Sequence, residues 1–414
     1  MFTLPQRQVI TIYVGLFWMI PLALTNPFRS LYLVSLGLSN TEVGLYSVMF
    51  IPFGLVCLWV SGYLTDIWGR KKTLFLFDTI SWGGFCVCLT FARDKWWGVA
   101  ALFFIALNLG SGPPYQCLII EGVPAAKRAV IYAVLQITNQ APALLFIPLL
   151  AGFWVHHKGL PLACHELFGL FTVLLIIGIA IRLIYLKDSG TFERIPPTWK
   201  HGLKEGLEQY ATTFKNLFKK PATLTFLGSK LLDEWILSTW AIYASLYFVQ
   251  HLGITPSWLS LLAPVTAYVA CFFLFFFTPR ISPRGMVKLL GLDQVFGLAA
   301  FAILLIPVGG WMNPLAICLI SVGLTALGGS FYGSVSSALW MNIIGEKERA
   351  KVVACSTTIF QIGVWVLGSL SAFLYGHVSP AALILFMMTA RIVDFILLRK
   401  VKRMLEPTFI STKD

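Results

Sequence analysis

Three ionisable side chains, Lys230, Asp233 and Glu234, stand in Lys230-Leu-Leu-Asp233-Glu234-Trp235 inside an otherwise apolar run. From Ala222 to Val249 the chain reads ATLTFLGSKLLDEWILSTWAIYASLYFV, long enough at 1.5 Å per residue to cross a hydrocarbon core of about 30 Å. Near mid-membrane, an Asp or a Lys costs about 2.5 to 3.5 kcal/mol on insertion scales. A polar interior behind the trio is the natural reason for their presence. Lys230 precedes Asp233 by three residues and Glu234 by four, so it can reach either carboxylate on one helical face. One lysine neutralises one acid. The second acid is left to hold a proton or to pair elsewhere, with Arg29 the best distant partner. The chemistry on offer is reversible proton binding beside a fixed positive charge, which can also hold an anionic or polar ligand. A buried structural ion pair is the plainer alternative.

The elements that must position these groups are membrane-spanning helices. Of the 414 residues 57% are hydrophobic and only 12% charged, half the charge of ordinary soluble domains at about 25%. That excludes a soluble domain and predicts an all-α polytopic membrane protein of about 12 transmembrane helices. The spacing of apolar runs puts the spans near 9–36, 42–65, 71–92, 96–122, 128–153, 166–186, 222–250, 257–278, 285–307, 313–342, 350–377 and 380–399. The first run is too long for a signal peptide and lacks a small-residue cleavage site, so it reads as a retained span.

The formal charge of +13 is a matter of topology and not of nucleic acid. Lys and Arg gather in alternate connections: Arg70, Lys71 and Lys72; Lys127 and Arg128; the stretch from Lys187 to Lys220; Arg280, Arg284 and Lys288; Lys347, Arg349 and Lys351; and Arg399 to Arg403. The opposite side receives only Arg93, Lys95 and Lys158. The positive-inside rule then places both termini in the cytoplasm, and a plasma (inner) membrane location is expected. The eight cysteines are scattered, with no CxxC pair, so neither a disulfide nor a cysteine metal site is expected. His156-His157 and Cys164-His165-Glu166 match no strong metal-ligand spacing and read as a polar loop. No cofactor is implied.

The polar segment 187–221 divides the chain into an N-terminal six-helix bundle, 1–186, and a C-terminal one, 222–414. Within it Leu203, Leu207, Tyr210, Phe214 and Leu217 recur at helical spacing, which predicts an amphipathic helix lying on the inner leaflet. The two bundles resemble each other. Ser30-Leu-Tyr-Leu-Val-Ser-Leu-Gly-Leu-Ser39 recurs as Ser245-Leu-Tyr-Phe-Val-Gln-His-Leu-Gly-Ile-Thr255. In the same order Gly69 matches Gly285, Asp78 matches Asp293, Lys127-Arg128-Ala129 matches Glu348-Arg349-Ala350, and Gln140 matches Gln361. A duplicated six-span unit follows, and such parallel repeats usually enclose a midplane site. Extended without gaps, the first match sets Gly15, Trp18 and Met19 opposite Lys230, Asp233 and Glu234. The charges are therefore not part of the duplicated scaffold.

Between the second and third spans stands Gly62-Tyr-Leu64-Thr-Asp66-Ile-Trp-Gly69-Arg70-Lys71-Lys72. It resembles the signature loop of the major facilitator superfamily, G-x-L-x-D-R-x-G-R-[RK], with Ile67 where the family has Arg. The second copy, Thr278 to Lys288, keeps Gly285 and little else. Glu121-Gly-Val-Pro124-Ala-Ala-Lys-Arg128 also looks like the family's fourth-to-fifth span turn. Physically, Gly62 permits close helix approach, Gly69 permits a tight turn, and Asp66 can hold Arg70 or receive helix-end amides. The resemblance implies two pseudo-symmetric six-helix bundles, with Gly62, Asp66, Gly69 and Arg70 as a cytoplasmic gate. Marks of the drug-proton antiporter branch are missing: Ala106 stands at the expected Arg position, and Gln140-Ala141-Pro142-Ala143 replaces a glycine-rich run.

In the family the first, fourth, seventh and tenth spans line a central cavity. Carried onto this chain, the resemblance offers Asn26, Arg29, Tyr115, Gln116, Tyr332 and Ser336 as polar lining, with Gln136, Asn139, Gln140 and Gln361 added from the fifth and eleventh spans. Pro113-Pro114 frees backbone carbonyls near Tyr115. Trp235 and Trp240 supply apolar walls or, as the plainer reading, packing. Asp78 and Asp293, matched in the repeat, read as structural. Arg182 and Arg391, near the inner ends of the last span of each bundle, are expected to snorkel.

The reading that follows is a monomeric secondary active transporter, not an enzyme, moving a small organic solute by alternating access with proton coupling. Lys230, Asp233 and Glu234 form its coupling site. Its partners are a small-molecule substrate, protons and membrane lipid, and no nucleic acid. A drug or metabolite efflux antiporter is the rival. With no Walker-type loop, ATP is not the direct energy source. A membrane-embedded enzyme is more remote, since no close His-Asp-Ser or metal constellation is present, and so is a non-transporting sensor.

Overall fold

The computed structural model describes residues 6–120, 125–186, 221–276, 286–307, 313–343 and 349–410. The amphipathic segment 187–220, the turn 121–124 and the loop 277–285 lie outside them. All regular structure among the described residues is helical. Nine of these helices are long and apolar enough to cross a membrane, and the bent pair Ile137–Leu144 and Ile147–Lys158 supplies a tenth. Two further helices, Pro221–Gln250 and Pro314–Ile343, are 30 residues each and long enough to cross as well. The first of them carries the charged trio. The chain is an all-α polytopic membrane protein.

Helix ends follow local chemistry. Ser39 and Glu42 form a reciprocal capping box at the start of Asn40–Met49. Asp94 accepts from the backbone N–H groups of Trp96 and Trp97. Pro113 and Pro114 fall in the first turn of Gly112–Ile120, after a 3-10 turn over Leu107–Ser111. There a missing N–H costs nothing. The 43° bend of the fifth span sits at Phe146, in left-handed conformation at φ 56°, between Pro142 and Pro148.

The contacts divide the chain into two compact units, 1–195 with 249–264, and 196–248 with 265–414. In the first, Tyr32 stacks on Phe168, Phe85 meets Phe168 edge-on, and Trp82 meets Phe85 edge-on, forming an aromatic core. In the second, Phe226, Leu290, Leu339, Trp340, Leu398 and Val401 knit four helices around one apolar centre. Two glycines there bring backbones close enough to set up the polar cluster described next. A Cβ on Gly297 would lie 2.7 Å from Arg391 Nε, and one on Gly328 would collide with Asp293 Oδ1.

Candidate functional site

Three helices of the second unit deliver charge to one buried point. Pro221–Gln250 brings Asp233, Met286–Leu304 brings the adjacent Asp293 and Gln294, and Pro380–Ile410 brings Arg391 and, three residues on, Asp394. None of these five residues is more than 7% exposed. Arg391 Nη1 donates to Asp233 Oδ1 at 3.1 Å, Asp293 Oδ2 at 2.9 Å and Gln294 Oε1 at 2.9 Å. Gln294 Nε2 in turn donates to Asp233 Oδ1 at 3.1 Å and Asp293 Oδ2 at 3.2 Å. Asp394 sits beside Asp233 and Ser229, yet neither of its carboxylate oxygens has a hydrogen-bond partner. Fully ionised, the cluster would set three carboxylates against a single guanidinium.

This arrangement corrects two expectations. Arg391 does not snorkel, because two aspartates and a glutamine hold its head inside the bundle at distances worth more than the reach to water. Lys230 does not bridge Asp233 or Glu234 within 4.0 Å. Its Nζ donates instead to Ser336 Oγ at 2.8 Å and lies 5.5 Å from the Tyr332 ring and 5.9 Å from that of Phe360. Asp233 is drawn round to Arg391, and Lys230 acts on both acids only through its field. Glu234, half-buried, has no hydrogen-bond partner among the described residues, and the buried Tyr332 hydroxyl lies near Ser336 without bonding it.

The first unit holds the repeat-related version. Asp78, matched in sequence with Asp293, pairs with Arg182 on Leu160–Tyr185, Nη1 to Oδ2 at 2.5 Å. Arg182 therefore does not snorkel either. Where Arg391 meets Asp233, Arg182 instead stacks on the Trp18 ring, 4.2 Å from its centroid, with Tyr115 at 5.8 Å. Trp18 is the residue that the ungapped repeat sets opposite Asp233. One carboxylate here faces one guanidinium.

The remaining candidates are dispersed. In the first unit Asn26 is exposed in the 3-10 turn Asn26–Phe28, Arg29 is half-buried, and Gln116 is exposed. Asn139 and Gln140 are half-buried on Ala125–Leu144, where the Gln136 side chain is outside the described residues. In the second, Gln361 is half-buried on Arg349–Phe373. Trp235 proves to be packing: it is 0% exposed, its Nε1 donates to Ser371 Oγ at 3.1 Å, and its ring meets Phe386. Trp240 packs on Phe248 and Phe301.

In the signature loop Gly69 adopts φ 93°, a conformation reserved for glycine, and is followed by Arg70 at the start of the next helix. No described atom lies within 4 Å of a Cβ placed on Gly62, so close approach is not its role among the described residues. The Asp66 side chain is outside them. Gln294 and Asp394 escaped the sequence reading, although an acid three residues from Arg391 within an apolar run carried the same signal as Asp233.

The sequence profile of the Major Facilitator Superfamily matches residues 10–323. A "Multi-drug resistance efflux pump PmrA homolog" of Lactococcus lactis subsp. lactis (strain IL1403) is 27% identical over 192 residues, 44% of this chain and 43% of that protein. The match thus spans less than half of the relative's length. Among solved structures, the peptide transporter POT in complex with sulfate superposes with TM-score 0.72 at 15% identity, covering 98% of this chain and 95% of that one. The nucleoside transporter NupG gives 0.70 at 14% identity over 96% and 98%. The human organic anion transporter MFSD10 (TETRAN) gives 0.66 at 14% identity over 96% and 100%. At these identities the structures speak for the fold, and the profile speaks for descent: the chain belongs to the Major Facilitator Superfamily.

Proposed function

We propose that the protein is a proton-coupled secondary active transporter of a small organic solute, working by alternating access, with coupling seated at Asp233. One observation carries this reading. The duplicated scaffold supplies a one-to-one Asp–Arg pair in the first unit, whereas the second unit adds buried carboxylates to the same pair. A balanced pair has no need of a proton. Surplus buried acids do, because an unpaired charge in a low-dielectric interior costs several kcal/mol. A proton moving through 100 mV is worth about 2.3 kcal/mol, enough to drive appreciable accumulation.

Lys230, with the unbonded hydroxyl of Tyr332 beside it, suits an anionic or polar group of the solute. Glu234 lies close enough for its charge to answer that of Lys230. Both termini are placed in the cytoplasm, in the plasma (inner) membrane, with a monomer as the working unit. Gly62, Asp66, Gly69 and Arg70 serve as the cytoplasmic gate, and Asn26, Arg29, Tyr115, Gln116, Asn139, Gln140 and Gln361 as further solute contacts.

The test uses a solute found by thermal-shift screening of solute classes at two pH values, followed by proteoliposome transport. Asp233→Asn should abolish uptake driven by a pH gradient while sparing counterflow. Full uphill transport by that variant would sink the proposal. A second reading, efflux of drugs or metabolites, is favoured by the likeness to the lactococcal efflux pump homolog. It would show as accumulation in inverted vesicles instead of right-side-out ones.

A further inference from the structure

Asp394 is absent from the sequence-derived coupling site and is the most deeply enclosed acid of the cluster, at 0% exposure. Both its oxygens are buried without a hydrogen-bond partner, and so is the hydroxyl of Ser229 beside it. Among the described residues, the charged and titratable side chains around this point come from four helices. Asp233, Lys230 and Glu234 come from Pro221–Gln250, Asp293 from Met286–Leu304, Tyr332 from Pro314–Ile343, and Arg391 from Asp394's own helix. Some of the donors near the point are committed, while Arg391 Nε and the Ser229 and Tyr332 hydroxyls have no acceptor. Arg391 Nη1 and Gln294 Nε2 bond Asp233 and Asp293, and Lys230 bonds Ser336.

An ionised Asp394 would stand next to a second carboxylate, with no ion pair and only the Ser229 hydroxyl close by to donate to it. A neutral Asp394 becomes a donor, and its natural acceptor is Asp233. We propose that Asp394 and Asp233 hold one proton between them as a hydrogen-bonded acid pair, with the proton on Asp394 and Arg391 shared between the charges left on Asp233 and Asp293. Among the described residues the first unit shows no such pair. Tyr185, 57% exposed, stands three residues after Arg182 where Asp394 follows Arg391, and Trp18 replaces Asp233. As a mechanism the acid pair rests on the proton-coupled reading, since it identifies the proton that would move. Its existence is read without transport.

The test is infrared spectroscopy of the purified full-length chain in lipid nanodiscs at neutral pH, in sodium-free buffer and then with sodium added. The wild type should show a protonated-carboxyl C=O stretching band. Asp394→Asn should lose it, Asp233→Asn should shift it by removing the acceptor, and Asp78→Asn should leave it in place. Asparagine can itself donate to Asp233, so the Asp394 variant is expected to fold, and a thermal melt checks that. A folded Asp394→Asn protein that keeps the whole band overturns the proposal, as does a wild-type band abolished by sodium, which would make the site a sodium site. If the band behaves as expected while Asp233→Asn still transports uphill, the acid pair stands and the transport reading fails. If the band is missing while Asp233→Asn uncouples transport, the reverse holds.

Discussion

Arg391→Met probes the cluster at the group on which everything else leans. The substitution keeps roughly the length of the side chain and removes the charge. Three hydrogen bonds disappear with it, two of them to carboxylates at 3.1 and 2.9 Å and one to Gln294 at 2.9 Å. Removing one partner of a buried ion pair costs about 3–5 kcal/mol, because the other charge is left uncompensated. Here two acids are left, so the upper end of that range is expected at neutral pH. Acidification should shrink the loss, since a neutral carboxyl has no charge to compensate. Arg391→Met combined with Asp293→Asn should recover part of it, as neutralising both sides of a buried pair is far less costly than neutralising one. Arg182→Met in the first unit strands only Asp78 and should fall at the lower end. The assay is the unfolding midpoint of purified variants, followed by tryptophan fluorescence at neutral and mildly acidic pH. An Arg391→Met protein as stable as wild type at neutral pH, or a loss that does not shrink on acidification, refutes the electrostatic account.

Gly69→Ala forces a Cβ into a φ of 93° and should cost about 1–3 kcal/mol. Gly62→Ala, mid-helix with open space around its Cβ, should be neutral or slightly stabilising; thermal melts of the two variants check the contrast. Gly328→Ala drives a methyl into Asp293 and should cost about 1–3 kcal/mol by overpacking, with gradient-driven uptake lost alongside stability in the proteoliposome assay.

The helices and the duplication were legible because they are written in composition and spacing. Apolar runs long enough to span, basic residues on one side and matched segments leave little room for another fold class. The repeat even placed Asp78 opposite Asp293, and the structure shows why: each meets the arginine of the last span in its own unit. Side-chain partnership was less legible. Helical spacing made Lys230 a partner for Asp233, but spacing counts only neighbours on one helix. The stronger attraction came from a bidentate-capable guanidinium on another. From sequence Arg391 reads as a snorkelling residue, because depth in a helix says nothing of what the neighbouring helix presents. Trp235 reads as a cavity wall for the same reason, since its neighbours Ser371 and Phe386 lie more than a hundred residues away in sequence.

The duplicated Asp–Arg pair also explains how surplus acid came to be tolerable in one unit alone. A buried guanidinium already held by one aspartate has donors left over and a field that extends beyond its first partner. In the first unit that capacity is covered by the face of Trp18, a contact that stabilises a cation without adding charge. In the second, the equivalent helix offers Asp233, which takes the open side of Arg391, and Asp394 is left beside them without an ion pair or hydrogen bond of its own. Each added carboxylate makes the next harder to ionise. The order of construction therefore sets the division of labour: Asp293 with Arg391 holds helices together, Asp233 shares that arginine, and Asp394 is left as the group whose neutrality requires a proton. A reverse experiment follows from the same logic. Trp18→Asp should bring a second carboxylate to Arg182 without creating a proton site, because Tyr185 offers no acid beside it, and the variant's infrared carboxyl band should match that of the wild type.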